Sequence, residues 1–492
     1  MTAEAAALLI QDGETVAVSG FTPSGCPKAV PLALAEQVRS GERKLRLGLL
    51  SGASTGEELD SAWAELGIIA RRAPYMTSKA LRSAVNGDGA EPVSYTDLHL
   101  GMVAQNARYG FYGPIRTAII EAAAITEEGN LIPTTALGCS QTWIDLAEQV
   151  IVELNLHQPA ELEGFHDVYR MADPPARQPI PLTDAAERIG LPYLSCPQEK
   201  IAAVVICDLP EKPRPLAPED EVSKKIARNI VDFLKAEKAA GRLSADVCPL
   251  QSGVGSVANA VLLGLKDSDF AHLSFFSEVM QDGILDLMDA GKADMASATS
   301  LSLSEEGMTR LLGNLEAYRG KLILRDSEIS NHAEVIRRLG VIAMNTAVEA
   351  DIYGNVNSSQ MNGTKVYNGI GGSGDYARNA AISIFMTNSV AKGGKISSIV
   401  PMVTHVDHNE HDVDVIVTEQ GYADLRGLSP KERAVRIIEN CAHPDYKGQL
   451  RAYFEDACAA THGAQTPHLL DRCFSFHQQL QKTGSMRLDT EE

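Results

Sequence analysis

No two of the eight cysteines stand in a CxxC arrangement. Cys26, Cys139, Cys196, Cys207, Cys248, Cys441, Cys458 and Cys473 are scattered, which argues against a disulfide framework or a zinc ribbon and predicts reduced thiols, most of them in the core. Cys26, in the loop-like Ser24–Pro27, reads as packed rather than reactive. No apolar run approaches the roughly 20 residues that a membrane span requires, so no membrane partner is expected. Basic residues are short too. Lys and Arg number 44 against 64 Asp and Glu, a net charge of −20, which excludes the clustered cations that a nucleic-acid backbone needs. That balance fits a soluble cytoplasmic protein kept apart by self-repulsion, in which an anionic ligand would need a local positive patch. Met1–Ile10 has no basic segment ahead of its apolar residues and reads as an amphipathic helix, not a signal peptide. No short-period repeat is visible.

With 492 residues, 44% of them hydrophobic, the chain is too long for one core. Its first half alternates strands (15–19, 45–50, 118–123, 150–154, 201–207) with helical spacing such as 28–40, and Glu127–Asn130 reads as a hairpin turn. This alternation predicts an open, largely parallel α/β sheet. The proline-rich 157–197 region reads as surface loop with one short helix. Asp208–Pro218, with prolines at 210, 213, 215 and 218, is the best linker, so two α/β domains are expected, 1–215 and 216–492. The second opens with a helix over 221–241, and its strands fall near 271–278, 294–299, 321–325, 341–345, 382–387, 396–403 and 413–418. The halves could be distant copies, but the residues do not show it.

Glu278 is the residue most suggestive of chemistry. It follows an apolar run, His272–Ser277, and precedes a helix-like segment opened by Gln281–Gly283. A carboxylate at the carboxyl end of a strand in an α/β protein faces the ligand crevice, where apolar walls raise its pKa and make it a usable nucleophile. The competing reading is a helix cap or a partner for a lysine. Two glycine-rich segments could surround it. Gln251–Ala260 leads into a helix whose N-terminus favours negative charge, and its spacing also fits a dinucleotide fingerprint. The residues before it, Cys248–Gln251, read as a poor strand, which argues against NAD. Tyr367–Tyr376 carries Gly369, Gly371, Gly372 and Gly374, a bare backbone able to present N–H groups to an oxyanion. His405, Asp407, His408, His411 and Asp412 have the composition of a metal site, but Ile399–Val403 and Val413–Val417 read as two strands joined by this polar turn, and no catalytic metal is expected. Glu419, after the second of these strands, is another crevice carboxylate.

Together these segments resemble the acetyl-CoA hydrolase/transferase branch of the class I coenzyme A transferases, and within it the succinate-type enzymes. The resembling segments run from Val16–Gly25 through Gln251–Ala260, Ser277–Gly283, Glu328–Asn331, Asn368–Asp375 and Val400–His408 to Thr418–Gly427. The resemblance implies two domains of the NagB/RpiA-like type with the active site at their interface. It implies that Glu278 attacks an acyl-CoA, that Gly372 and backbone near Val254 receive the oxyanion, that Asn331 orients Glu278, and that Glu419 is a nearby supporting acid. It further implies coenzyme A contacts at Gly255, Ser256, Val257, Ala258, Asn259, Asn368, Gly372 and Lys392. Coenzyme A would be a substrate rather than a tightly bound cofactor. The partners would be acyl-CoA, acetate, succinate and propionate, and the protein a homodimer whose Gly20–Gly25 loop closes over the small acid. Succinyl-CoA:acetate exchange is the expected reaction, ahead of propionyl-CoA:succinate exchange and acetyl-CoA hydrolysis. An NAD-linked oxidoreductase, a metal-dependent hydrolase and a non-catalytic CoA-binding protein are the alternatives from other classes.

Overall fold

A computed structural model of the chain describes residues 1–89, 91–212, 220–243 and 249–488. The boundary expected at 215/216, most of the linker and Cys248 lie outside the described residues.

Two large sheets carry the architecture. The first has the order Ser94–Tyr95, Ile69–Ala73, Leu47–Leu50, Thr15–Val18, Thr117–Ile125, Gln149–Asn155, Ile201–Cys207, and Leu131–Pro133 runs antiparallel beside Thr117–Ile125. All the other pairings are parallel. Both faces of a parallel sheet are covered, so its strands are apolar without alternation. Val16, Val18 and Ile151 pack on one face with Val30, Leu34 and Trp63, while Ala17, Val150 and Val152 pack on the other with Trp143 and Ile144. The helix Ala29–Arg39 lacks a side-chain N-cap of its own. The buried Glu153 supplies one from the neighbouring strand, accepting from the amides of Lys28, Ala29 and Val30 at 2.7, 3.0 and 2.6 Å.

The second sheet has the order Gly421–Asp424, Val415–Thr418, Ile382–Met386, Ile342–Thr346, Leu250–Ser252, Leu273–Phe276, Ala293–Ala298, Leu322–Arg325, His166–Asp167, parallel except for the terminal pair 415–418 and 421–424. The helix Glu221–Ala239, capped by Asp220, buries Ile226, Ile230, Phe233 and Leu234 against it. Apart from the edge strand His166–Asp167, which the first half lends to the second sheet, in each sheet the chain starts at the centre, adds three strands to one side, then returns and builds on the other. Each therefore has a switch point at its first strand, where the strand order reverses: beside Thr15–Val18 in the first and beside Leu250–Ser252 in the second. Ligands of open α/β sheets bind beyond the carboxyl ends of strands at such points. A third core, built on the helices Pro430–Cys441, Pro444–Ala460 and Ser475–Thr483, packs around Tyr353, Phe385 and Ile416.

Three expectations need correction. The 157–197 region is no simple surface loop. His166–Asp167 is the edge strand of the second sheet, Asp167 forms a buried ion pair with Arg325, and Ile180, Leu182 and Ala185 are core residues with Phe276 and Ile323. Helix in this segment is limited to the 3-10 turn Ala160–Leu162, but prolines do not stop isolated apolar side chains from packing. Ile399–Val403 and Val413–Val417 are not two arms of one hairpin. Ile399–Val400 pairs with Glu349–Asp351, whereas Val415–Thr418 joins the second sheet. Finally, a strand does precede the glycines of 251–260. Leu250–Ser252 needs only three residues because both its neighbours hold it.

The halves are joined by backbone bonds, Leu137 N–H to Thr299 O at 2.9 Å, Leu301 N–H to Thr135 O at 2.9 Å and Ser327 N–H to Gly138 O at 2.8 Å. Arg108, itself paired with Asp173 at 2.7 Å within the first half, adds an ion pair across to Glu328 at 2.6 Å. Among the described residues no helix is long and apolar enough to cross a membrane.

Candidate active site

The two switch points face one cavity of about 150 Å³. Phe21 and Thr22, following the first strand, and Ala53, following its neighbour, contribute from the first sheet. Gly253, Val254, Glu278, Asn345 and Thr346 contribute from the second, and the glycine segment 368–373 closes the remaining side.

Glu278 directly follows the strand Leu273–Phe276. Its carbonyl accepts from the amides of Thr299 and Ser300 at 2.9 and 3.2 Å, and a short parallel pairing of Val279–Met280 with Ser300–Leu301 continues from there. The backbone is thus fixed and the side chain directed at the cavity. Its carboxylate does not cap the helix Asp282–Asp289, and no lysine or arginine pairs with it among the described residues. Asn331 Nδ2 donates to Oε1 at 2.8 Å. Enclosure by protein pushes the Glu278 carboxyl up to about 7, the Asn331 hydrogen bond opposing only part of that. Burial, helped by the Glu278 charge, holds Asp375 well above the ordinary carboxylate range, although Gly101 N–H at 2.9 Å and Asn331 Nδ2 at 3.3 Å donate to it.

The glycine segment is held, not loose. Asp97 accepts from the Ile370 amide at 2.9 and 3.0 Å, Leu100 N–H donates to Gly371 O at 3.3 Å, and Ser373 Oγ donates to Ile370 O at 2.6 Å. A Cβ on Gly372 would lie 1.8 Å from Glu278 Oε1, and one on Gly369 would lie 2.4 Å from an Asp97 oxygen. Glycine is required by the closeness of these carboxylates, with no demand on φ, which is −91° at Gly372. His408, stacked near Phe385, reaches Ser373 Oγ at 3.1 Å, and Asp407 accepts from Ser358 and Ser359. These two members of the histidine-rich turn brace the glycine segment and its neighbour.

Of the other residues singled out in the sequence, Val254 lines the cavity and is 39% exposed. Gly255, with φ of +116°, starts the helix Ser256–Lys266. Ser256, Val257 and the exposed Lys392 line a separate groove of about 860 Å³ that also includes Lys365 and His477, and Thr346 borders both spaces. Ala258 points into the core, and Asn259 has a buried Oδ1 without a hydrogen-bond partner among the described residues. Asn368 lines the Glu278 cavity and donates to Tyr75 Oη at 3.3 Å. Glu419 stands elsewhere. It accepts from the Ser389 amide at 2.8 Å, the Ser389 hydroxyl and Gln420, which together outweigh its burial and lower its pKa. None of these hydrogen bonds reaches Glu278. Cys26 is buried, and burial raises its thiol pKa far above the ordinary value, as fits an inert core thiol. Sequence reasoning missed Asp97, Leu100–Gly101, Asn345 and Asp375. Of these only Asp375 lay within a motif already noted, where it was given no role.

A partly buried carboxylate of raised basicity, facing a tight glycine turn between two open α/β switch points, is the arrangement expected for acyl transfer through an enzyme carboxylate. The fold is of the class I CoA-transferase type, and the chain belongs to the acetyl-CoA hydrolase/transferase family. Its residues 1–206 match the acetyl-CoA hydrolase/transferase N-terminal domain and 307–454 the C-terminal domain. Among curated relatives it is similar to a succinyl-CoA:acetate CoA-transferase of Clostridium kluyveri, 52% identical over 99% of this chain and 90% of the relative. It is also similar to a propanoyl-CoA:succinate CoA transferase of Escherichia coli, 44% identical over 99% of this chain and 98% of the relative. An acetyl-CoA hydrolase of Yarrowia lipolytica is 45% identical over 96% of this chain and 92% of the relative. The fold matches RipA from Yersinia pestis with a TM-score of 0.71 at 22% identity, covering 94% of this chain and 98% of that one. It also matches a 4-hydroxybutyrate CoA-transferase from Porphyromonas gingivalis with a TM-score of 0.63 at 18% identity, covering 93% and 97%.

Proposed function

We propose that this enzyme moves coenzyme A from succinyl-CoA to acetate through a covalent intermediate on Glu278. The observation that carries the reading is the Glu278 carboxylate, raised to about 7 and held by Asn331 within the cavity at the two switch points. A Glu278 oxygen attacks the thioester carbonyl, the carbon–sulfur bond breaks, and CoA leaves as thiolate, giving an acyl-glutamyl anhydride. The thiolate then attacks the glutamyl Cδ and expels the free acid, leaving a γ-glutamyl-CoA thioester. The second acid runs the same two steps in reverse. No proton need be gained or lost, and the elevated basicity of Glu278 favours the first attack.

The Gly372 and Val254 amides receive the oxyanions, and Asn331 orients the nucleophile. Coenzyme A lies along Gly255–Asn259 and Asn368, with Lys392 facing one of its phosphates in the 860 Å³ groove. Contacts that far from the sulfur act on the rate by holding the thioester in the transition state. The Glu419 contacts support a more distant role, shaping the Ser389 turn beside that groove. Coenzyme A is a substrate in this reading, with no tightly bound cofactor; the family resemblance supports a homodimer, and the scattered thiols support a cytoplasmic location.

Incubation with succinyl-CoA alone, followed by peptide mass spectrometry, tests the reading. A CoA thioester on Glu278 is expected, and its absence, or an adduct elsewhere, would sink the mechanism. The names of the relatives support two further substrate readings. Release of CoA from acetyl-CoA without any added acid would favour hydrolysis, and a faster rate with propionyl-CoA and succinate would favour that exchange.

A further inference from the structure

Asn345 lies near the carboxyl end of the strand Ile342–Thr346 and has no part in the scheme above. It is 5% exposed and lines the Glu278 cavity. The orientation of its amide follows from obligate donors. The Met344 backbone N–H donates to Gln251 Oε1 at 2.9 Å. A backbone N–H only donates, so that atom is oxygen and the other end of Gln251 is its NH2 group. Gln251 Nε2 then donates to Asn345 Oδ1 at 3.1 Å. This leaves Asn345 Nδ2 buried without a hydrogen-bond partner among the described residues. A buried donor of this kind calls for an acceptor from outside the chain.

Its neighbours indicate which acceptor. Thr346, the next residue, borders both the Glu278 cavity and the 860 Å³ groove. Across from it, Val254 lines the cavity and Ser256 the groove. The passage from groove to nucleophile therefore runs past Asn345. On the acyl-transfer reading above, on which this step rests, an acyl-CoA with its nucleotide in the groove and its thioester at Glu278 threads its pantetheine arm through that passage. The acceptor nearest the sulfur on that arm is the carbonyl oxygen of its cysteamine amide. We infer that Asn345 Nδ2 donates to this carbonyl and so sets the depth to which the sulfur reaches Glu278.

The test compares release of acetate, with succinate as the acceptor acid, from three acetyl thioesters: acetyl-CoA, the N-acetylcysteamine thioester, which keeps the amide at the matching position, and the 1-pentanethiol thioester, which has the length but no amide. In Asn345→Ala, and in Asn345→Asp, which keeps the oxygen facing Gln251 and removes the donor, kcat/KM is expected to fall about 10- to 100-fold for the first two. It should stay within about twofold for the third. An equal loss with all three thioesters, or no loss with the first two, would overturn the assignment. Calorimetric binding of CoA to Glu278→Gln, with and without Asn345→Asp, reads the contact without chemistry, and a fall in affinity of about tenfold is expected. If that fall occurs while wild type forms no Glu278 adduct, only the covalent mechanism fails. If the adduct forms and CoA binding ignores Asn345, only the present inference fails.

Discussion

Gly372 and Glu278 approach each other so closely that a single methyl group on the glycine would sit 1.8 Å from the carboxylate oxygen and 2.2 Å from the Asn331 nitrogen that holds it. The glycine is there to admit the nucleophile. Gly372→Ala should therefore push Glu278 off its aim and lower kcat/KM by about 100-fold or more. Because φ is −91° and the collision is with the ends of side chains, the fold should tolerate it. Steady-state kinetics beside a thermal melt check this, and a fully active variant would mean that Glu278 points elsewhere during turnover.

The nucleophile must be ionised to attack. With its carboxyl at about 7, kcat/KM should drop about tenfold per pH unit below that value. A profile flat down to pH 5 would contradict the raised basicity on which the first attack depends.

The same shift bears on stability. The folded chain holds the Glu278 proton more tightly than the unfolded chain, whose value is near the ordinary 4.5. The group is therefore neutral in effect below about 4.5, costs stability as pH rises from there to about 7, and adds no further cost above that. Glu278→Gln should stabilise the protein at pH 8 by about 3 kcal/mol and hardly at all at pH 4. Denaturant titrations at the two pH values read the difference, and an equal effect at both would show that the cost is not one of charge.

Asp375 lies next to this pair, and burial, with the Glu278 charge adding to it, holds its carboxyl well above the ordinary carboxylate range. Asp375→Asn keeps an oxygen for Gly101 and Asn331 and cannot carry a charge. The acid limb of the rate profile should stay near pH 7. A downward move of a full unit would reveal a charge on Asp375 in the native enzyme.

Arg325 joins the buried Asp167 to the second sheet and also donates to the carbonyls of Ala185 and Glu187 and to Ser297 Oγ. Arg325→Ala strands a buried carboxylate and should cost about 3–5 kcal/mol. Limited proteolysis should then cut within 170–190 well before the rest of the chain, and uniform resistance would show that the apolar contacts of Ile180 and Leu182 suffice.

Much of this is legible in the amino-acid sequence. Glu278 and the 369–374 glycines can be read there because a nucleophile and a close approach leave marks in a few adjacent residues. Strands such as Thr117–Ile125 can be read because two covered faces demand unbroken apolar runs. The shared topology of the two sheets cannot, since strand order is set by packing among segments hundreds of residues apart. Asn345 looks like any strand-end asparagine until Gln251, 94 residues away, turns its amide. The place of His166–Asp167 is hidden for another reason. Two residues give no periodicity, and prolines around them speak of turns whichever body the turns cover.

His166–Asp167 has a consequence for how this chain must be made. The outer rung of one ladder is threaded through from the other half of the polypeptide, so a fragment beginning at residue 220 would present Leu322–Arg325 as a bare border with an orphaned guanidinium beside it. Neither portion is finished alone, and the later one must await, or be met by, a stretch synthesised well before it.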